Sequence, residues 1–218
     1  MHIPDGFISL PINAACAAVS VAACGFALFR SRQRLGEKQV PMLGVTGSFI
    51  FAAQMLNFPV AAGTSGHFLG AALAAVLLGP FESCLVLSVV LTIQCLLFAD
   101  GGLVALGTNV FNMGVVGGIG GYAILTVLRG ILPKSRASLL ASTAIAAWTS
   151  VMLAAAACSL ELAFSGTIEL EKVLGAMLSV HAVIGIGEAL ITAAVVSMVL
   201  ASRPDLVNGA PQFAGAQP

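Results

Sequence analysis

The chemistry this chain could perform is concentrated in its three histidines, His2, His67 and His181. His2 is informative because of its position. A free α-amine on Met1, the amide nitrogen of residue 2 and the His2 imidazole can close two fused chelate rings on one metal ion. The rings are five- and six-membered, so strain is low. Such a nitrogen-rich set tends to be planar, which suits Ni²⁺ or Cu²⁺ and also admits Co²⁺. A bulky second residue should protect Met1 from removal. Three nitrogens leave one corner of a square open. Ile3-Pro4-Asp5-Gly6 reads as a turn, with Pro second and Gly fourth, folding the first residues back on the chain that follows. Asp5 could then brace an imidazole as an outer carboxylate. The alternative is a chance histidine on a frayed terminus.

His67 follows Gly63-Thr64-Ser65-Gly66 at the expected start of a short helix. A helix N-terminus disfavours a protonated imidazole, leaving His67 neutral and able to supply a fourth nitrogen. Its alternative role is a capping-region histidine bonded to a loop carbonyl. His181 falls in the last long apolar run, with Glu188 two turns deeper on the same face. Ionisable groups inside a membrane are functional candidates by default. Here a structural role is favoured, because about 13 Å of helix rise separates His181 from the outer end. Glu82, beside Pro80, reads as a first-turn helix acid.

The elements that must position these groups follow from composition. Of 218 residues, 59% are apolar and 8% charged, mean hydropathy is +1.04, and net charge is zero. A soluble domain carries about 25% charged residues. The chain therefore has too few charges for a water-facing shell, which excludes an ordinary cytosolic enzyme, a basic nucleic-acid binder and a disordered protein. What remains is an all-α polytopic membrane protein, whose helices satisfy the backbone in lipid. No basic n-region precedes the first apolar stretch, so no cleavable signal peptide is expected.

A spanning helix needs about 20 apolar residues. Seven segments qualify or nearly so: 7–29, 40–58, the short 67–78 ended by Gly79-Pro80, 81–98, 106–128, 138–164 and 173–201. With the N-terminus outside, the inner loops and the cytoplasmic C-terminus receive Arg30, Arg32, Arg34, Lys38, Arg129, Lys134, Arg136 and Arg203. The outside receives only Lys172. That asymmetry fits the positive-inside rule, and omitting the short third helix would destroy it. Residues 1–203 thus form one membrane domain, with 1–6 folded back to its outer mouth. The Gly-, Ala- and Pro-rich tail 204–218 is expected to be disordered.

Small residues recur at helical spacing in two places. Gly114, Gly117, Gly118 and Gly121 form one stripe, and Ala14, Ala18 and Ala22 another. Both permit close helix approach, with internal packing favoured over docking of a partner. Cys16, Cys24, Cys84, Cys95 and Cys158 lie scattered in apolar runs without a C-x-x-C pair and read as free thiols filling space.

Met-His-Ile-Pro-Asp-Gly at 1–6, Gly66-His67-Phe68 and seven spans together resemble the cobalt/nickel substrate-capture subunits of energy-coupling factor transporters, the CbiM/NikM family. The resemblance covers essentially the whole chain, and the N-terminal hexapeptide is its most specific part. It implies a multi-pass protein of a prokaryotic inner membrane that takes Co²⁺ or Ni²⁺ as substrate, in the service of processes such as cobalamin biosynthesis. The implied ligands are the Met1 amine, the amide and imidazole of His2, and His67. The implied partners are an energy-coupling transmembrane (T) subunit and cytoplasmic ATPases, with or without a small auxiliary membrane subunit. Pro4-Asp5 is closer to the nickel-associated form than to the Met-Glu of cobalt-linked members. Ala14, Ala18 and Ala22 resemble the small-residue motif by which such subunits dock.

Other classes fit less of the chain. Gly63-Thr64-Ser65-Gly66 with a late His181 is similar to the Ser/His dyad of rhomboid intramembrane proteases. The accompanying Trp-Arg pair and early polar pair are missing, however, and His2 and His67 would go unexplained. A self-sufficient secondary transporter would want intramembrane charge pairs or an internal repeat, and neither is found. No Walker A string occurs, so the chain is not expected to hydrolyse ATP or act as an enzyme.

Overall fold

The computed structural model of the chain describes residues 1–32, 36, 39–60 and 64–208. Arg34, Lys38 and Gly63 lie outside the described residues. Helices occupy all seven expected regions. They are α1 (Leu10–Ser31), α2 (Gln39–Gln54), α3 (Ala71–Leu78), α4 (Pro80–Phe98), α5 (Leu106–Ile131), α6 (Arg136–Phe164) and α7 (Leu170–Ser202). Five of them, α1 and α4 to α7, are long and apolar enough to cross a membrane. Local sequence sets their ends: Pro11 opens α1, Gly79-Pro80 separates α3 from α4, and the Ser135 side chain caps α6 by accepting from Ser138 N at 3.1 Å. The middle of α5, Phe111–Gly120, widens into a π-helix.

Burial is inverted relative to a water-soluble protein. Phe26, Leu97, Val127, Ile186 and Leu190 are exposed, whereas Gln54, Gln94, Asn109, Asn112, Ser150, His181 and Glu188 are buried. An apolar exterior around a polar interior is the arrangement lipid favours. Within it the helices hold by close packing rather than by expulsion of water. The α5 glycines serve that packing: Cβ atoms would meet Cys84 from Gly114, Leu69 from Gly117, Ser83 from Gly118 and Ser150 from Gly121. Ala14, Ala18 and Ala22 instead lie on the exposed side of α1, so internal packing is not what their stripe does. The five cysteines are free, as expected, with Cys84 and Cys158 buried.

Between α2 and α3 lies a two-stranded antiparallel hairpin, β1 (Asn57–Val60) and β2 (Thr64–His67), pairing Asn57 with His67. The second helix therefore ends at Gln54, short of the expected Phe58. His67 ends a strand, and the short helix starts four residues later, after Gly70 at φ 75°. The tail departs from expectation as well. Pro204–Leu206 form a 3₁₀ turn, Val207 is buried, and Asn208 N donates to Val76 O at 2.9 Å. Only 209–218 of the tail lie outside the described residues.

The N-terminus folds back onto the bundle rather than fraying. Met1 and Ile3 are fully buried and belong to the main core. Moving such side chains out of water gains roughly 1.5–3 kcal/mol each. Ile3 N donates to Asn109 Oδ1 at 2.8 Å, and Ile3 O accepts from Gly102 N at 2.9 Å and Asn109 Nδ2 at 3.1 Å. The turn sits at Asp5–Gly6, with Gly6 at φ 86°.

Candidate metal centre

Met1, His2 and His67 converge although 64 residues separate Met1 from the strand that receives it. The Met1 amine donates to the Ser65 carbonyl and lies 3.2 Å from Ser65 Oγ; His2 N donates to the same hydroxyl at 3.3 Å. The His2 and His67 rings lie 4.6 Å apart between centroids, tilted by 33°. Both are nearly excluded from solvent, at 4% and 1% exposure.

Hydrogen bonds fix which nitrogen of each ring is bare. His67 Nδ1 lies 2.7 Å from the Phe68 carbonyl, which can only accept, so the proton is on Nδ1. Its Nε2 carries the lone pair and, among the described residues, has no partner. In His2, Nε2 faces Gln94 Oε1 at 3.1 Å, which puts the proton on Nε2 and the lone pair on Nδ1, 3.5 Å from Ser65 Oγ. That is the nitrogen needed for a six-membered ring with the His2 amide. Asp100 Oδ1 stands 3.4 Å from the same Nδ1. A donor ring held by a second-nitrogen hydrogen bond is the usual disposition of a metal-binding histidine.

Electrostatics keep these nitrogens free of protons. Burial lowers the Met1 amine from 8.0 to about 5. Burial, then the neighbouring terminal amine, lowers His2 to about 3 against the pull of Gln94. His67 is held well below its ordinary value by burial, the terminal amine and His2. Its neutrality is therefore due to burial, not to the helix N-terminus expected from the sequence. Burial also raises the Asp100 carboxyl. Among the described residues no cluster of three or more His, Cys, Asp or Glu side chains occurs. The main-chain nitrogens beside the two imidazoles are the terminal amine and the His2 amide.

Other expected residues fall elsewhere. Asp5 does not brace an imidazole; its carboxylate accepts from the backbone N–H groups of Leu103, Val104 and Ala105 at 3.0, 2.8 and 3.1 Å. That clamps the N-terminal strap to the start of α5. Gly102 makes the clamp possible, because a Cβ there would collide with the Asp5 backbone and carboxylate. Ser65 and His181 do not form a protease dyad: Ser65 serves the N-terminus, and His181 Nδ1 faces Met177 O at 2.8 Å. Glu188 accepts from Leu69 N and Gly70 N at 2.5 and 2.7 Å, fixing the chain just after His67. Glu82 sits in the first turn of α4 as expected and accepts from Ser31 Oγ at 2.8 Å.

Sequence reasoning missed Gln94, Asp100 and Asn109. A glutamine in the otherwise apolar run 81–98 was the available signal for the first, since lone polar residues in spans need partners.

Comparison with known proteins finds relatives over nearly the whole chain. The family model for CbiM, the cobalt uptake substrate-specific transmembrane region, matches residues 2–206. The chain belongs to the CbiM family. A fused nickel transport protein, NikMN, of Archaeoglobus fulgidus is 44% identical over 210 residues, covering 95% of this chain and 68% of that protein. A metal transport protein of Haloquadratum walsbyi is 42% identical, covering 95% and 93% of the two chains. The crystal structure of a truncated transition metal transporter superposes with a TM-score of 0.86 at 33% identity, over 92% of this chain and 99% of that one. The CbiM-family chain is thus a membrane component of metal transport, with nickel and cobalt transporters as its relatives.

Proposed function

We propose that this CbiM-family chain is the substrate-capture subunit of an energy-coupling factor transporter importing Ni²⁺ or Co²⁺. The ion is taken on the outer side by the Met1 amine, the His2 amide, His2 Nδ1 and His67 Nε2. The observation that carries this reading is the pair of buried imidazoles, 4.6 Å apart between centroids, at the strand residue that the terminal amine hydrogen-bonds. The ion displaces the amide proton, and the amide anion with nearby Asp100 offsets its double charge. Four nitrogens in a plane favour late first-row ions.

ATP hydrolysis belongs to separate cytoplasmic subunits, acting through a T subunit. An auxiliary membrane subunit is suggested by the fused form of several relatives, the Archaeoglobus and Rhodobacter capsulatus proteins among them. The exposed Ala14, Ala18 and Ala22 offer α1 as the face for a partner helix. The membrane is the inner membrane of a prokaryote, with the N-terminus outside, a reading that the distribution of basic residues supports.

Calorimetric titration of the purified chain with Ni²⁺ and Co²⁺, beside a version whose Met1 amine is acetylated, tests the capture site. Tight 1:1 binding that acetylation abolishes is the expected result. Equal binding by both forms refutes the terminal chelate.

A further inference from the structure

His181 is the one buried imidazole that the capture site leaves unused. It lies on the inward stripe of α7 with Met177, Gly185 and Glu188, and its side chain is fully buried. Its Nδ1 faces the Met177 carbonyl, so the proton is there and the lone pair is on Nε2. Among the described residues that Nε2 has no hydrogen-bond partner. His67 shows the same pattern, an Nδ1–H given to a carbonyl and a bare, unpartnered Nε2. A buried acceptor without a donor is unfavourable unless something else occupies it.

The strand that carries His67 also packs on α7, the helix that carries His181. A Cβ on Gly66 would fall 2.7 Å from Ile184 Cδ1 and 3.5 Å from Val180 Cγ1, so β2 lies directly on the turn of α7 that carries His181. Three residues later the chain is tied to the same helix by Glu188. Residues 66–70 therefore descend α7 from position 180 to 188, with His67 between. The segment that follows His67 thus runs along the same stretch of α7 as His181.

We propose that His181 is a second station for the transported ion, in which His67 Nε2 and His181 Nε2 hold a divalent late transition metal once the terminal chelate has opened. The inference rests on the capture reading above. A planar site containing an amide anion holds its ion tightly, and release needs a ligand that takes over as the amide leaves. In the exchange the ion gives up the amine, the amide nitrogen and His2 Nδ1. It keeps His67, gains His181 and fills its remaining positions with water. One proton returns to the His2 amide, and no electron moves. Two neutral imidazoles bind more weakly than four nitrogens including an anion, which allows onward release.

The test uses the full chain in its native form and with the Met1 amine acetylated, with Cu²⁺ and Co²⁺ as probes. Native chain should give a four-nitrogen Cu²⁺ paramagnetic resonance spectrum. The acetylated chain should give a two-imidazole spectrum, falling to one imidazole in His181→Ala with Cu²⁺ bound about tenfold more weakly or worse. In the acetylated chain carrying His181→Cys, Co²⁺ should gain a thiolate-to-metal charge-transfer band absent from the acetylated chain with His181. That signal appears only in folded protein with the ion at position 181. The proposal is overturned if the native chain gives its four-nitrogen spectrum while the acetylated spectrum ignores His181 and the cysteine variant shows no band. A native chain lacking the four-nitrogen spectrum overturns the capture site itself, and this station with it.

Discussion

Burial of the N-terminus has a consequence for how many protons nickel must displace. The perturbation is pH. In an exposed peptide the α-amine has a pKa near 8.0, so at pH 7 about nine-tenths of it is protonated. Metal binding would then release nearly two protons, one from the amine and one from the amide. In this chain burial lowers the amine to about 5 and His2 to about 3, so both are already neutral at pH 7. Only the amide proton is left to release. Each released proton makes affinity rise about tenfold per pH unit. From pH 6 to 8 the buried site should therefore gain about 100-fold in Ni²⁺ affinity. An exposed amine would add a further factor of about 50, giving about 5,000-fold. Below pH 5 the amine protonates and the slope should steepen toward two. Calorimetry in buffers of different ionisation enthalpy counts the protons directly. A slope of one at pH 7 is expected. A slope near two would show that the amine titrates as if in water, and the argument from burial would fail.

Three substitutions test the groups around the site. Gln94→Leu removes the acceptor that holds the His2 proton on Nε2; Ni²⁺ affinity should fall about 10- to 100-fold by titration while the helical circular dichroism is retained. Gly102→Ala places a methyl group against the Asp5 backbone and should lift the strap from α5. Its signature is faster protease cleavage within residues 1–9 together with weakened Ni²⁺ binding; unchanged cleavage would show that the clamp does not hold the strap. Glu188→Gln leaves one of the Leu69 and Gly70 N–H groups facing an amide donor or a poorer acceptor. Loss of about 1–3 kcal/mol of stability is expected, read as a lower unfolding midpoint in detergent, and an unaltered midpoint would contradict the assigned role.

The candidate ligands were legible because their signal is local. A histidine at position 2 makes a chelate with its own backbone whatever the fold, and apolar run length alone located the seven helices. Asp5 was legible as a residue of interest but not in its role, since its three N–H partners at 103–105 lie about a hundred residues away. The alanine and glycine stripes look alike in sequence. Only the neighbours, open surface for α1 and α4 or α6 for α5, distinguish them.

The sequence by itself determined the membrane class, the helix positions and a nitrogen donor set at the N-terminus, because composition, span length and chelate-ring size are properties of short stretches. The tertiary structure alone decided that the terminus is buried rather than frayed, that His67 ends a strand, and which ring nitrogens are bare. Those outcomes depend on Ser65, Gln94, Asn109 and Glu188 arriving from distant parts of the chain. It also decided the state of the amine, since desolvation is a property of the surrounding bundle and no residue carries it alone.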